Sequence, residues 1–218
     1  MQIIFKRYIP IKYLEDFVKV YEKGWDHNFP GCTELNYWLS ILLWITDYVN
    51  CRFNYVCLAI DNDVCVGYLM ASVAGKAMGC HPALFVINKV VAIILLLSRQ
   101  GRGILFEHNL YREYMDKALQ LGKLILAGKK KISVERSVAV IPAYRKSGIY
   151  REMTKRLFEK IHGYLIFHTS TESVYEAHER MGYKRLYTAP FPNSMSEGTM
   201  FIMYGDKTIV HLNRAAEG

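Results

Sequence analysis

Residues 137–157 read SVAVIPAYRKSGIYREMTKRL. The β-branched text ending at Val140-Ile141-Pro142 predicts a strand, and Pro142 to Gly148 a turn. From Ile149 onward, Met153, Leu157 and Ile161 recur on the side of Ile149, which predicts an amphipathic helix over 149–162. Such a strand–loop–helix unit points the unpaired N–H groups of the helix start, and the positive end of its dipole, into the loop. Arg145 and Lys146 add two cations there, and Gly148 lets a ligand come close to the backbone. The stretch is therefore a candidate anion site, suited to a pyrophosphate. It is not a P-loop, because GxxxxGK[ST] is absent, and its single glycine excludes a dinucleotide fingerprint.

Working outward from it, residues 2–8 read as an opening strand, and helical spacing follows over 11–24. Trp25, Asp26, His27 and Phe29 fall in a loop. Thr33 and Glu34 begin a second helix. Residues 54–60 and 64–73, joined by Asp61-Asn62-Asp63, form a hairpin signal. Beyond the central unit come a strand at 164–168, a helix at 172–181, and strands at 183–188, 199–204 and 208–212. Between hairpin and central unit lies a segment of different character. Residues 83–98 are an apolar run read as a buried helix, the glycine-punctuated RQGRG follows, and a second helix covers about 108–127. The order predicts a mixed α/β (α+β) chain with one central, mostly antiparallel sheet flanked by helices. We read residues 1–218 as one domain with a helical insertion at 75–130.

The central unit resembles the GNAT superfamily of acyl-CoA-dependent N-acetyltransferases. That family's motif is Val-x-Pro-x-x-Arg/Gln-x-x-Gly-x-Gly/Ala. Here Val140, Pro142, Arg145 and Gly148 match, and Tyr150 stands where a small residue is usual. A second family element, a helix ending in Tyr-x-x-x-Gly-Phe, is matched by Gly182-Tyr183, with His178 at the usual tyrosine. The resemblance implies acetyl-CoA, or another acyl-CoA, as acyl donor. Backbone amides of Arg145, Lys146, Ser147, Gly148, Ile149 and Tyr150 would hold its diphosphate. The strand at Val138, Ala139 and Val140 would pair with its pantetheine arm. It implies direct attack by a primary amine of a small molecule in a ternary complex. For the catalytic groups it implies Glu135 as base and His178, as imidazolium, or Tyr175 as acid to the thiolate. Strict alternation leaves the face of Glu135 open, since a bulge between 135 and 140 would reverse it.

Composition narrows the alternatives. Lys+Arg 28 against Asp+Glu 20 gives +8, and residues 76–131 alone carry 10 − 3 = +7. That excess keeps open a nucleic-acid or anionic-surface module, or a catalytically silent CoA-binding scaffold. Under the leading reading no nucleic acid is expected, and membrane contact through the insertion ranks below a core role. Exposed sheet edges leave room for a homodimer. Five cysteines with no Cys-x-x-Cys spacing argue against a disulfide framework, and Cys57 and Cys65 read as buried thiols. No signal-peptide layout opens the chain, so a cytoplasmic setting is expected. His162, His168 and His178 lack ligand spacing, so no metal is expected. His168 reads as a structural histidine near the cleft, and Glu107 and His108 receive no role.

Overall fold

The computed structural model describes residues 3–7, 14–24, 32–49, 53–76, 82–126, 131–169, 171–190 and 199–206. Its elements run β1 (Ile4–Arg7), α1 (Leu14–Gly24), α2 (Glu34–Val49), β2 (Tyr55–Asp61), β3 (Val64–Ser72), α3 (Pro82–Leu96), α4 (Arg99–Leu126), β4 (Lys131–Val140), α5 (Ile149–Phe158), β5 (Gly163–Thr169), α6 (Glu172–Arg180), β6 (Lys184–Pro190) and β7 (Thr199–Gly205). The strands form one seven-stranded sheet in the order β1-β2-β3-β4-β5-β7-β6. Every pair is antiparallel except β4 with β5. The expected α/β class with a mixed, mostly antiparallel sheet is what the chain adopts. The expected strand at 208–212 and the loop holding Trp25, Asp26, His27 and Phe29 lie outside the described residues.

Local chemistry explains the boundaries that position the site. Thr33 Oγ1 accepts from the Asn36 N–H at 3.3 Å and caps α2. Asn62 and Asp63 take positive φ (48° and 62°) and close the tight β2–β3 turn. Helices cover both faces of the sheet. On one, Phe17 of α1 and Ile41 and Ile45 of α2 pack on Leu58, Tyr68 and Met70. On the same side, Met115 and Leu119 of α4 pack on Val134, Ile166 and Ile202. On the other face, Met153 and Leu157 of α5 pack on Leu69, Leu165 and Phe167. Cys57 and Cys65 are buried thiols, and burial pushes Cys65 up to about 12.

Two readings of the segment between β3 and β4 need correction. The glycine-punctuated RQGRG is helical: α4 begins at Arg99 and runs 28 residues, about 42 Å at 1.5 Å per residue. Ser98 Oγ accepts from the Gly101 N–H at 2.9 Å and starts the helix. Gly101 serves close approach, since a Cβ there would lie 2.1 Å from the Leu95 carbonyl oxygen. The second correction concerns α3, which is not a core helix. Only Leu84, Asn88, Val91 and Leu95 are buried, one stripe facing α2, while its opposite apolar side is exposed.

Candidate active site

The loop before α5 is built as an anion cradle. A single 3₁₀ turn, Pro142–Tyr144, follows β4. The Tyr144 hydroxyl donates to Asp61 Oδ2 at 2.7 Å and ties the loop to the β2–β3 turn. Ser147 Oγ donates to the Tyr144 carbonyl at 2.5 Å, and Arg145 Nε donates to the Val140 carbonyl at 3.3 Å. Lys146 and Gly148 take positive φ, 63° and 80°. Gly148 caps α5 with no side-chain acceptor for the first helical N–H groups. A Cβ at Gly148 would meet nothing within 4 Å, so no other part of the described chain crowds the backbone there. Arg145, Lys146, Ser147 and Gly148 are exposed, while Ile149 is buried and anchors the helix start. Open N–H groups, a helix dipole and two exposed cations suit a diphosphate.

Beside the cradle, two strands part. The β4–β5 pairing runs from Lys131↔Gly163 to Val134↔Ile166 and stops. Beyond that point β4 still pairs with β3 as far as Val140↔Gly67, and β5 pairs with β7 as far as Thr169↔Phe201. Val138, Ala139 and Val140 therefore lie on a stretch of β4 with no β5 partner, a gap open to an extended ligand. A bulge sits at Arg136, because Met70 pairs with Ser137 and Ala71 with Glu135. Its effect is to move Glu135 onto the α5 face with Val138 and Val140. Arg136 and Ser137 both turn to the other face, where Arg136 Nη1 meets Asp116 Oδ1 at 3.1 Å and Ser137 Oγ meets the Tyr68 hydroxyl at 3.1 Å. The side on which Glu135 acts, left open by the alternation, is thus decided by one extra residue.

At the vertex of the gap Glu135, Tyr150 and His178 come together. Glu135 is 3% exposed. Its Oε2 has no partner, and its Oε1 is 3.5 Å from the Tyr150 hydroxyl, longer than an ordinary O–H···O bond. Burial raises the Glu135 pKa to about 8, partly offset by Tyr150, so the carboxyl is mostly protonated at neutral pH. His178 Nδ1 lies 2.7 Å from the Val174 carbonyl, which only an N–H can serve. The other nitrogen, Nε2, therefore accepts from the Tyr150 hydroxyl at 2.6 Å. Burial against Phe167, whose ring centroid is 4.1 Å away, pushes His178 down to about 4. A neutral acceptor replaces the imidazolium expected at this position. The proton of that bond belongs to Tyr150, whose own pKa burial raises well above its ordinary value.

Tyr175 is not drawn into this cluster. Its hydroxyl donates to Glu179, and its ring stacks on Phe201 at 4.4 Å. On the opposite face of β4 lies a polar cluster absent from the expected site. Trp44, Asp47, Arg112, Asp116, Arg136 and His168 line a cavity of about 10 Å³, room for one water. His108 Nε2 lies 3.4 Å from Asp47, and His168 Nε2 is 3.3 Å from the Tyr111 hydroxyl. Burial pushes His168 down to about 4, with the Arg136 charge adding to it. Helix periodicity over 108–116, which places His108, Arg112 and Asp116 on one side four residues apart, was the one signal for this cluster. Among the described residues, no group of three or more His, Cys, Asp or Glu is placed to hold a metal ion.

No family model matches the chain, and no curated protein matches it in sequence. Solved structures match it in fold. It is similar to "histone acetyltransferase HPA2 and related acetyltransferase" from Corynebacterium glutamicum, at 12% identity and a TM-score of 0.56, over 94% of this chain and 97% of that one. It is similar to arylalkylamine N-acetyltransferase 2 from Aedes aegypti, at 13% identity and a TM-score of 0.54, over 94% and 99%. It is similar to Arabidopsis thaliana NAA60, solved with acetyl-CoA, at 13% identity and a TM-score of 0.51, over 95% and 99%. The chain has the GNAT acyltransferase fold.

Proposed function

We propose that the chain is an acyl-CoA-dependent N-acyltransferase that transfers an acetyl group to a primary amine of a small molecule. The observation that carries this reading is the juxtaposition of the parted β4–β5 pair with the Gly148-capped start of α5. Residues 145–150 would hold the CoA diphosphate through backbone N–H groups, with Arg145 and Lys146 supplying charge. The backbone edge of Val138, Ala139 and Val140 that has no β5 partner would hold the pantetheine arm, and an N–H there would face the developing oxyanion. The thioester supplies the activated carbonyl.

In this reading Glu135 takes the proton of the attacking amine, reaching its basic form as pH approaches about 8. Tyr150 gives its hydroxyl proton to the leaving thiolate by turning it out of the 2.6 Å bond to His178 Nε2, which holds the hydroxyl in place until then. The small acceptor is favoured because α4 packs across β4, β5 and β7 on one face and would narrow the approach to the gap from that side. In that role 75–130 would be a helical insertion within a single domain. One similar fold is named for an arylalkylamine, a small amine, and another for a histone, a protein acceptor.

A second reading has one observation in its favour. The Tyr150 proton is held in the bond to His178 Nε2, which withholds an acid from the thiolate, as in a CoA-binding scaffold that does not turn over. The test is thiol release from acetyl-CoA across small amines and N-terminal peptides. Release with a small amine supports the first reading. CoA binding with no release for any amine supports the second. Release with peptides alone refutes the small acceptor.

A further inference from the structure

Helix α3 is apolar on both sides, inside at Leu84, Val91 and Leu95 and outside as well. A helix on a protein surface turns its polar residues to water and its apolar ones to the core. Here the single amide, Asn88, is inside, where Nδ2 donates to Thr46 Oγ1 at 3.0 Å and to the Leu43 carbonyl at 3.3 Å. Phe85, Val86, Val90, Ile93, Leu96 and Leu97 are outside. At 100° per residue they cover an arc of about 140°. Ile93 is 59% exposed and Leu97, in the α3–α4 turn, 79%. A contiguous apolar face of this kind marks an interaction site.

Charge selects the partner. Between Asp63 and Glu107 the chain has no carboxylate, while Lys76, Lys89, Arg99 and Arg102 are all cationic. Lys89 rises from the middle of the apolar arc, its Nζ 5.3 Å from the centroid of the Phe85 ring. Arg99 opens α4 two residues after Leu97, and Arg102 Nη1 donates to the Leu96 carbonyl at 3.1 Å. A second copy of the chain would bring like charges together across the arc. A nucleic acid would match the cations and leave the apolar side chains in water. An anionic bilayer matches both, with the lysine stem reaching up from the acyl boundary to the headgroups. No helix among the described residues is long and apolar enough to cross a membrane, so α3 would lie in its plane.

We propose that the outer face of α3 and the α3–α4 turn dock the protein on an anionic phospholipid bilayer. This is independent of the acyl-transfer reading. The experiment is co-sedimentation of the full chain with phosphatidylcholine vesicles, with and without phosphatidylserine, at low and high salt. Sedimentation should require phosphatidylserine and weaken with salt. Ile93→Glu with Leu97→Glu should abolish it. Lys89→Ser with Arg99→Ser should reduce it about 25-fold, about fivefold per cation. All four side chains are exposed, so thermal melting should not change. Three results would overturn the proposal. One is no phosphatidylserine-dependent sedimentation. Another is sedimentation that survives Ile93→Glu/Leu97→Glu. The third is a dimer in solution that this double variant dissociates while vesicles fail to bind the wild type.

Discussion

Replacing Glu135 by Gln exchanges a buried carboxyl for a neutral amide of the same shape. The wild-type group is 3% exposed, with one oxygen unpartnered and the other 3.5 Å from the Tyr150 hydroxyl. Its pKa rises from 4.5 to about 8 on folding because burial disfavours the charge. Between those values the native state keeps a proton that the unfolded chain has released. The contribution of this group is therefore complete below about pH 4.5 and is lost as pH rises through about 8. At about 1.4 kcal/mol per pH unit, the wild type should lose about 3–4 kcal/mol relative to Glu135→Gln between about pH 5 and pH 8. His168 and His178, both pushed down to about 4, act in the opposite sense and add stability as pH rises from about 4 to 6.5. They are common to both proteins and cancel in the difference. Urea unfolding of the two proteins at several pH values measures it. Parallel stability curves would refute the buried, proton-holding Glu135 and with it a base that switches on near pH 8.

Other expectations bear on separate parts of the account. Tyr150→Phe removes the hydroxyl held by His178 and should lower kcat by about 10² or more with CoA affinity within about twofold; full turnover would take Tyr150 out of the chemistry. Arg145→Ala with Lys146→Ala should weaken acyl-CoA binding about tenfold and flatten its salt dependence; unchanged affinity in a titration calorimeter would remove the diphosphate from 145–150. Gly101→Ala forces a Cβ into the Leu95 carbonyl and should cost about 1–3 kcal/mol, a Tm lower by roughly 5 °C. Gly103→Ala, two residues on with nothing within 4 Å, should hold or raise the Tm by helix propensity. Equal melting shifts for the two would contradict the close α3–α4 turn.

How far the chain could be read in advance depended on whether a feature is local. The cradle is local: strand, turn glycine and helix start lie within 137–157, and its chemistry follows from backbone geometry alone. Gly182-Tyr183 closing α6 was legible in the same way. Glu135 was legible as a residue but not as a direction, because a bulge at Arg136 leaves no mark in composition. Tyr150 read as an intruder in the cradle, since nothing in its neighbours' identities reveals a bond to His178, 28 residues away. The start of α4 was missed because Gly101 and Gly103 carry the same letter and different roles: one lets α3 approach, the other faces open space. The outward face of α3 was missed because an apolar run states how much surface wants cover and not what covers it.

The central claim is that the parted β4–β5 pair and the start of α5 form an acyl-CoA site. Thermal unfolding of the wild-type chain with acetyl-CoA and longer acyl-CoAs tests it most directly. A ligand bound only by the native state stabilises by about 2.7 kcal/mol at 100 times its Kd, which at this chain length is a Tm rise of roughly 5–10 °C. We expect a concentration-dependent rise of that size with at least one acyl-CoA. A melting curve unmoved by every acyl-CoA would contradict the account.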